Sequence, residues 1–444
     1  MTELSPEFLT FLMMGGVLVG VLTGFPIGIV IGALAIIVGF FQFGTAVGQI
    51  IYPRVFSLMI NYTILAVPMF VFMGAMLERS GITEKLFDAL YLWLGGLRGG
   101  LAIVTVLVGT IMAACVGIIA ASITMLTMVA LPAMLKRGYD RSLATGAICA
   151  GGCLGILIPP SIMLIVYGPM AQISVGKLLF GAFIPGFILS ALYITYIALR
   201  CFFQPNIAPA VPIEERGVPF RKKTTQLITS LVPPVLLVLA VLGVIFFGIA
   251  PPTEAASMGA FIATLLTVAY GRFNWRVLKD VSFITFRISG FILLIGTMAF
   301  AYVGVFIAGG GGDVIEKLIL STPGGKWGIF LVVMLTVFIL GMFMDWLPIV
   351  FIMVPIITPI AAAQGFDPLW FAIMICVNLQ MAFMTPPFAA GIFILKGAAP
   401  PEWGVTMGDI IRGVIPFVIL VMIGISLLSV FPQLVLWLPS MMIK

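Results

Sequence analysis

Two short stretches carry the residue types that chemistry inside a membrane would need. Leu157-Ile-Pro-Pro-Ser161 lies in an apolar run over 142–173, and Met384-Thr-Pro-Pro-Phe388 repeats the pattern in a second run, 369–397. A proline ring blocks the helical turn before it and donates no amide hydrogen bond, so each pair must break its helix. In hydrocarbon the freed backbone groups are tolerated only where protein buries them or where they face water, an ion or a substrate. A break ends one half-helix in free carbonyls, which attract a cation, and starts the next with free amides, which attract an anion. Pro160 and Pro387 are expected in the first turn of each new half-helix, where a missing amide is not felt. The bland alternative is a pair of kinks packed against neighbours. Repetition of the double proline favours a binding site with Ser161 and Thr385 beside it.

Other polar residues cluster at the same depth. Asp345, in Gly341-Met-Phe-Met-Asp345, lies inside a long apolar stretch, where an unpaired carboxylate costs at least ~3 kcal/mol on insertion scales. Two readings compete for it. One is a site for a hard monovalent cation, held by carboxylate and carbonyl oxygens around Gly341 and Asp345; the other is an N-cap for the second arm of a hairpin. Asn378 and Thr385, seven residues apart on one helix face, point toward the second break, with interhelical hydrogen bonding as the competing use. In the first half the corresponding cation candidates are Gly117, Ser122 and Thr124 at a hairpin tip and Gly155 before the break. They are weaker, since small residues also permit close packing.

The elements that must hold these residues are membrane helices. The chain of 444 residues is 62% hydrophobic and 9% charged, with a mean hydropathy of +1.26, far outside the soluble range. Apolar runs long enough to cross a bilayer recur, and short alternating strands of the barrel type do not. The fold class is an all-α polytopic membrane protein. There is no histidine, which removes most general-base, metal-ligand and proton-relay schemes and argues against an enzyme. Cys115, Cys149, Cys153, Cys201 and Cys376 lack metal-like spacing and read as small packing residues. The net charge of +6 comes from basic residues in loops beside spans, which fits membrane orientation and not nucleic acid. MTELSPEF has acids where a signal peptide needs bases, so no cleaved leader is expected.

A proline-rich, charged linker at 204–226 divides two apolar halves. Pro132 to Asp140 matches Pro359 to Asp367, and Pro159-Pro160 matches Pro386-Pro387, at one offset of 227. Ile82 to Leu86 resembles Val314 to Leu318, and Gly100 onward resembles Gly328 onward, at nearly the same shift. Four ordered landmarks indicate an ancient duplication. Arg98, Lys136-Arg137 with Arg141, Arg200, Arg221-Lys222-Lys223, and Arg272, Arg276 and Lys279 all fall on the cytoplasmic side if 100–136 is a re-entrant hairpin. Five crossings then separate it from a second hairpin, 328–362, which must enter from the other face. The halves are inverted repeats, a common design for secondary transporters. The expected parts are scaffold helices and an arm over 1–99, a first transport repeat over 100–203, a second scaffold and arm over 227–327 and a second transport repeat over 328–444. Gly16, Gly20, Gly24, Gly28 and Gly32 recur every fourth residue and make a smooth face, for packing within the chain or against a partner. Pro252-Thr253-Glu254 suits a helix start.

These residues resemble the large membrane subunit of the tripartite ATP-independent periplasmic (TRAP) transporters. The likeness spans almost the whole chain and rests on the segments 65–82, 131–147, 155–186, PTEAA at 252–256, GMFMD at 341–345 and VNLQMAFMTPPF at 377–388. It implies a sodium symporter of elevator type in the bacterial inner membrane, within the elevator-type ion-transporter superfamily architecture. It also implies two partners, a small four-helix membrane subunit and a periplasmic substrate-binding protein, and a small organic acid as substrate. Where many members carry a serine-glycine-serine run, the first hairpin tip here reads Cys115-Val-Gly-Ile-Ile-Ala-Ala-Ser122, which leaves backbone carbonyls to serve a cation. The rival readings are a self-sufficient carboxylate or ion antiporter and, more remotely, a membrane enzyme or structural assembly subunit.

Overall fold

The computed structural model describes residues 4–212 and 219–442; linker positions 213–218 and the side chains of Cys115 and Val116 lie outside the described residues. The first repeat runs through α1 (Pro6–Leu22), α2 (Ile27–Phe43), α3 (Val47–Met59), α4 (Ala66–Arg79), the arm α5 (Ile82–Leu94), the hairpin α6 (Gly100–Val116) and α7 (Ile119–Lys136), the broken pair α8 (Arg141–Cys153) and α9 (Ile162–Ala171), and α10 (Val175–Phe203). The second runs through α11 (Phe220–Phe246), α12 (Pro252–Ala269), α13 (Trp275–Ala308), the arm α14 (Gly311–Leu320), the hairpin α15 (Gly325–Gly341) and α16 (Trp346–Ala363), the broken pair α17 (Pro368–Ala382) and α18 (Ala390–Ala398), and α19 (Met407–Val430), with α20 (Gln433–Ser440) at the end. Among the described residues, nine helices are long and apolar enough to cross a membrane.

The duplication holds helix by helix. The limits of α7 and α16 are 227 residues apart at both ends. The matching Asp140 and Asp367 prove to be matching caps: one accepts from the Leu143 amide at 2.9 Å, the other from the Leu369 and Trp370 amides at 2.9 and 3.0 Å. Each thereby satisfies amides that have no acceptor within their own helix. The repeats differ where α13 is one helix of 34 residues. Its counterpart is interrupted at Asn61, whose side chain caps the 3-10 turn Tyr62–Leu65 leading into α4.

The two halves interlock. α2 packs along α13 and α12 along α4, and each arm rests on the other half's first helix, α5 on α11 and α14 on α1. The glycine row serves these internal contacts. A Cβ on Gly16 would meet Leu34 at 2.8 Å, and one on Gly28 would meet Ile295 at 3.5 Å, while Gly20 abuts Val30 and Gly32 abuts Met298. Gly24 is a left-handed turn residue with φ +81. The small residues therefore seat α1, α2 and α13 on one another, so of the two expected uses of this face, within the chain or against a partner, the structure shows the first. Closer still, the α8–α19 crossing brings Gly146 against the Gly413 carbonyl, backbone on backbone.

Basic residues gather at one end of the bundle. Arg200 lies 3.9 Å from Asp140, and the linker start is stapled there by Asp140 N to Ile207 O, Gly99 N to Ala208 O and Val211 N to Gly95 O, at 2.7, 3.0 and 2.8 Å. Arg272 lies beside Gly81. The charged end of the expected linker, Arg221-Lys222-Lys223, is already helical in the first turn of α11. Large apolar side chains such as Phe11, Phe261, Phe286 and Leu331 cover the outside, the surface a lipid bilayer solvates.

Candidate functional site

The site grows from the two breaks and the two hairpin tips. At the first, α8 tightens into a 3-10 turn, Leu154–Ile156, and the chain then turns and bends through 157–160 to an extended Ser161 before α9 begins at Ile162. Pro160 is therefore outside the new half-helix and not in its first turn; Ser161 is its N-cap. Pro387 likewise precedes α18, which starts at Ala390. Each proline pair keeps the residue before it out of helical backbone, and helical turns resume only once the pair is past. Both Pro159-Pro160 and Pro386-Pro387 peptides are cis.

The first hairpin tip closes over the first break. Gly117 ends α6 in the left-handed region, φ +64, and a Cβ there would lie 3.3 Å from the Pro160 carbonyl and 3.6 Å from the Ile162 amide. A Cβ on Gly155 would lie 3.3 Å from Ser122 Oγ and 3.9 Å from the Ile118 carbonyl. Gly117, Ser122 and Gly155 thus come together around break carbonyls. Ser122 is 1% exposed, and its hydroxyl has no hydrogen-bond partner among the described residues. A buried hydroxyl left unmatched costs about 1–3 kcal/mol, so an oxygen-seeking ligand has reason to bind here. Ser161 is fully buried and donates to the Ile156 carbonyl. Thr124 does not join them; it stands on the exposed side of α7.

The second tip meets the second break by a direct bond, Phe388 N to Met342 O at 2.8 Å. Asp345 is the N-cap of α16, and its Oδ1 accepts from the Trp346 amide at 2.8 Å. The capping use is real, and the second carboxylate oxygen remains available beside it. Gly341 is held tight against α17, where a Cβ would meet Ala382 at 2.5 Å. Asn378 and Thr385 are not joined at the break. Asn378 reaches back to α15, donating Nδ2 to the Met334 carbonyl at 2.7 Å, and leaves Oδ1 unmatched in the interior. Thr385 bonds its own helix through the Met381 carbonyl at 2.8 Å.

The halves exchange supports here too. α16 packs on α9, and α7 packs on α18. At the second contact a Cβ on Gly391 would meet Ile123 at 3.3 Å and Cys153 at 3.4 Å. Each hairpin therefore depends on the other repeat's post-break helix. The breaks differ in access: residues 157–161 are buried, whereas Pro386, Pro387 and Phe388 are exposed, Phe388 at 44%.

One residue escaped sequence reasoning. Gln380 is 0% exposed, with neither end of its amide matched among the described residues. A glutamine two places past Asn378 in an apolar run was the available signal. No group of three or more His, Cys, Asp or Glu is placed to hold a metal among the described residues. The donors at both tips are oxygens, which suit a hard cation.

With that geometry in view, comparisons with known proteins are specific. The profile of the family described as "Tripartite ATP-independent periplasmic transporter, DctM component" matches residues 14–434. The chain is 29% identical over 390 residues to the C4-dicarboxylate TRAP transporter large permease protein DctM of Pseudomonas aeruginosa, covering 87% of this chain and 88% of that one. It is 29% identical over 384 residues to the isethionate TRAP transporter permease protein DctMQ of Oleidesulfovibrio alaskensis, covering 85% of this chain and 58% of that longer one. The crystal structure of the Alcanivorax borkumensis YdaH transporter, titled as having an unusual topology, superposes with a TM-score of 0.58 at 14% identity over 88% of this chain and 87% of that one, a likeness of fold. Inverted repeats, re-entrant hairpins and paired helix breaks thus coincide with a family match across nearly the whole length: the chain belongs to the DctM-component family of tripartite ATP-independent periplasmic transporters, and is a multi-pass permease of the inner membrane, not an enzyme.

Proposed function

We propose that this permease couples inward sodium movement to import of a small organic anion, and that its two transport repeats, 100–203 and 328–444, move as one body against the scaffold. The observation that carries the reading is the asymmetry of two equivalent sites: one break is sealed under its hairpin tip and the other is open. In inverted repeats such a difference between equivalent parts is what exchanges when access alternates. Gly117, Ser122, Gly155 and the break carbonyls would hold one sodium ion; Asp345 and the Gly341 turn would supply donors for another, with Asn378 and Thr385 joining only if they leave their bonds to Met334 and Met381. Ser161, Thr385 and the half-helix starts that follow Pro160 and Pro387 would face the anion once the Thr385–Met381 and Phe388–Met342 bonds give way.

The relatives named for C4-dicarboxylates and isethionate support a small organic acid as cargo. We further propose two partners, a small four-helix membrane subunit and a periplasmic substrate-binding protein that delivers the cargo. The family's tripartite description and the fused permease relative support them. The test is uptake into vesicles holding all three components. An inward sodium gradient should be required, and uptake that is indifferent to sodium would overturn the coupling. Full transport by the isolated chain would instead favour a self-sufficient antiporter.

A further inference from the structure

Each arm meets its hairpin at one corner. α5 turns into α6 through 95–99, and α14 turns into α15 through 321–324. The corners are built alike: a Cβ on Gly100 would fall on the Leu94 carbonyl, and one on Gly328 on the Pro323 carbonyl. Each arm rests on a scaffold helix and each hairpin belongs to a transport repeat, so a body that moves against the scaffold bends the chain at these two corners.

The corners differ in what holds them. Among the described residues, backbone bonds around 321–324 are local: Ser321 N to Lys317 O, Thr322 N to Ile319 O and Gly328 N to Gly324 O, at 3.0, 3.1 and 3.2 Å. At 95–99 the start of the linker lies across the corner. Val211 N donates to the carbonyl of Gly95, the C-cap of α5, at 2.8 Å, and the amide of Gly99, the N-cap of α6, donates to Ala208 O at 3.0 Å. Ala208 is 0% exposed and Val211 1%, and a Cβ on Gly95 would meet the Val211 side chain at 3.0 Å.

The sequence prepares this strap. Ala208 and Val211 each precede a proline, Pro209 and Pro212, and the residue before a proline is held toward extended backbone. The two residues whose backbone groups bond the corner are thus the two already set to present them, and a strap stiffened by prolines loses little chain entropy when it docks.

The strap also joins the two bodies. Asp140 N to Ile207 O, at 2.7 Å, fixes its first part to the first transport repeat, and past 212 the chain continues to α11, on which the arm α5 rests. The Ala208–Gly99 bond stays on the hairpin side, whereas the Val211–Gly95 bond crosses to the arm. A second tie crosses the same corner: Arg137, at the end of α7, donates to the Tyr91 hydroxyl of α5 at 3.2 Å. Rotation at 95–99 changes the separation of Gly95 O from Gly99 N, and a strap of fixed, extended length then keeps one of its two bonds but not both.

We propose that the strap 207–211 is a latch on the first hinge: closed as it is here, it holds arm and hairpin at one angle, and its Val211–Gly95 bond opens when the transport repeats move against the scaffold. One hydrogen bond and one buried side chain are a hold that local opening can release in each cycle. The second corner has no strap, so the latch acts through one repeat and biases the whole body toward the present arrangement. Because the latch rests on the body movement proposed above, its test reads that movement too.

Spin labels on Glu402→Cys, in the second transport repeat, and on Lys279→Cys, near the start of α13 in the scaffold, report the position of the body by pulsed electron resonance on the full chain in sodium-free nanodiscs. Both positions are exposed, Cys149, Cys153, Cys201 and Cys376 are buried, and the parent labelled alone gives the background. Val211→Pro deletes the amide that donates to Gly95; Val211→Gly keeps the amide and withdraws the side chain, and serves if the first variant does not fold. Asn206→Ala, exposed in the same strap, is the control. Two distances are expected, and in the Val211 variants the one that matches the present arrangement should lose weight to the other by at least threefold, with melting near that of the parent and the control unchanged. Two distances with unchanged or oppositely shifted weights overturn the latch and leave the moving body standing. A single distance, the same in the parent and both variants, overturns the moving body and the latch with it.

Discussion

The Phe388 amide donates to the Met342 carbonyl at 2.8 Å, so the second proline break is tied to the second hairpin tip by one backbone bond. That tie uses up one oxygen of the tip and leaves the Asp345 carboxylate, whose Oδ1 is engaged by Trp346, as the strongest remaining cation donor. Asp345→Asn should keep the cap, since asparagine caps as well as aspartate, and should weaken sodium dependence of uptake by tenfold or more. Unchanged sodium affinity in the folded variant would leave Asp345 as a cap alone.

Ser122 offers a sharper separation of folding from binding. Deleting an unmatched buried hydroxyl removes a desolvation cost, so Ser122→Ala should melt no lower than the parent in sodium-free buffer. Its stabilisation by sodium should shrink, because stabilisation tracks ligand affinity. Differential scanning with and without sodium reads both; equal sodium shifts in parent and variant would remove Ser122 from the site.

The prolines can be tested by the same pair of readouts. Pro160→Ala and Pro387→Ala restore an amide to each break and allow helical turns to advance into it. Uptake should fall in both while the protein still assembles in the membrane, and sodium should protect the variants from heat less than it protects the parent. Normal uptake with parent-like protection would reduce the breaks to kinks.

At the α8–α19 crossing the prediction concerns stability alone. A side chain at Gly146 or Gly413 has no space against facing backbone, and overpacking typically costs about 1–3 kcal/mol. Gly146→Val should lower the melting temperature or abolish assembly. Gly243→Val, where nothing lies within 4 Å of the added carbon, is the control and should behave as the parent does.

Much of the architecture was readable because duplication writes the same constraint twice. Asp140 and Asp367 match in sequence because both cap the helix that leads into a break. Pro160 and Pro387 follow a different rule from the first-turn preference of a single proline: each closes a bent, non-helical segment, and its half-helix starts only beyond it. Gly16 to Gly32 showed periodicity, but nothing in a period says which helix fills the groove; Leu34, Val30, Ile295 and Met298 do. Thr124 lies only two residues from Ser122, and at 100° per residue that is enough to turn it to the outside. The unmatched Ser122 hydroxyl and Gln380 amide were invisible beforehand, because hydrogen-bond satisfaction is a property of tertiary neighbours.

The exchange of supports, α7 seated on α18 and α16 on α9, bears on how such a chain arose. Each hairpin rests on its own repeat's pre-break helix and also on the other repeat's post-break helix, so a gene encoding one repeat would have produced a unit lacking part of that support. Two copies inserted in opposite directions complete each other, and that requires an ancestral protomer whose loop charges left its orientation undecided. Fusion of two such genes would have allowed the charge bias to be settled once for both, and would have freed each copy to diverge, as the interruption at Asn61 opposite the unbroken α13 records.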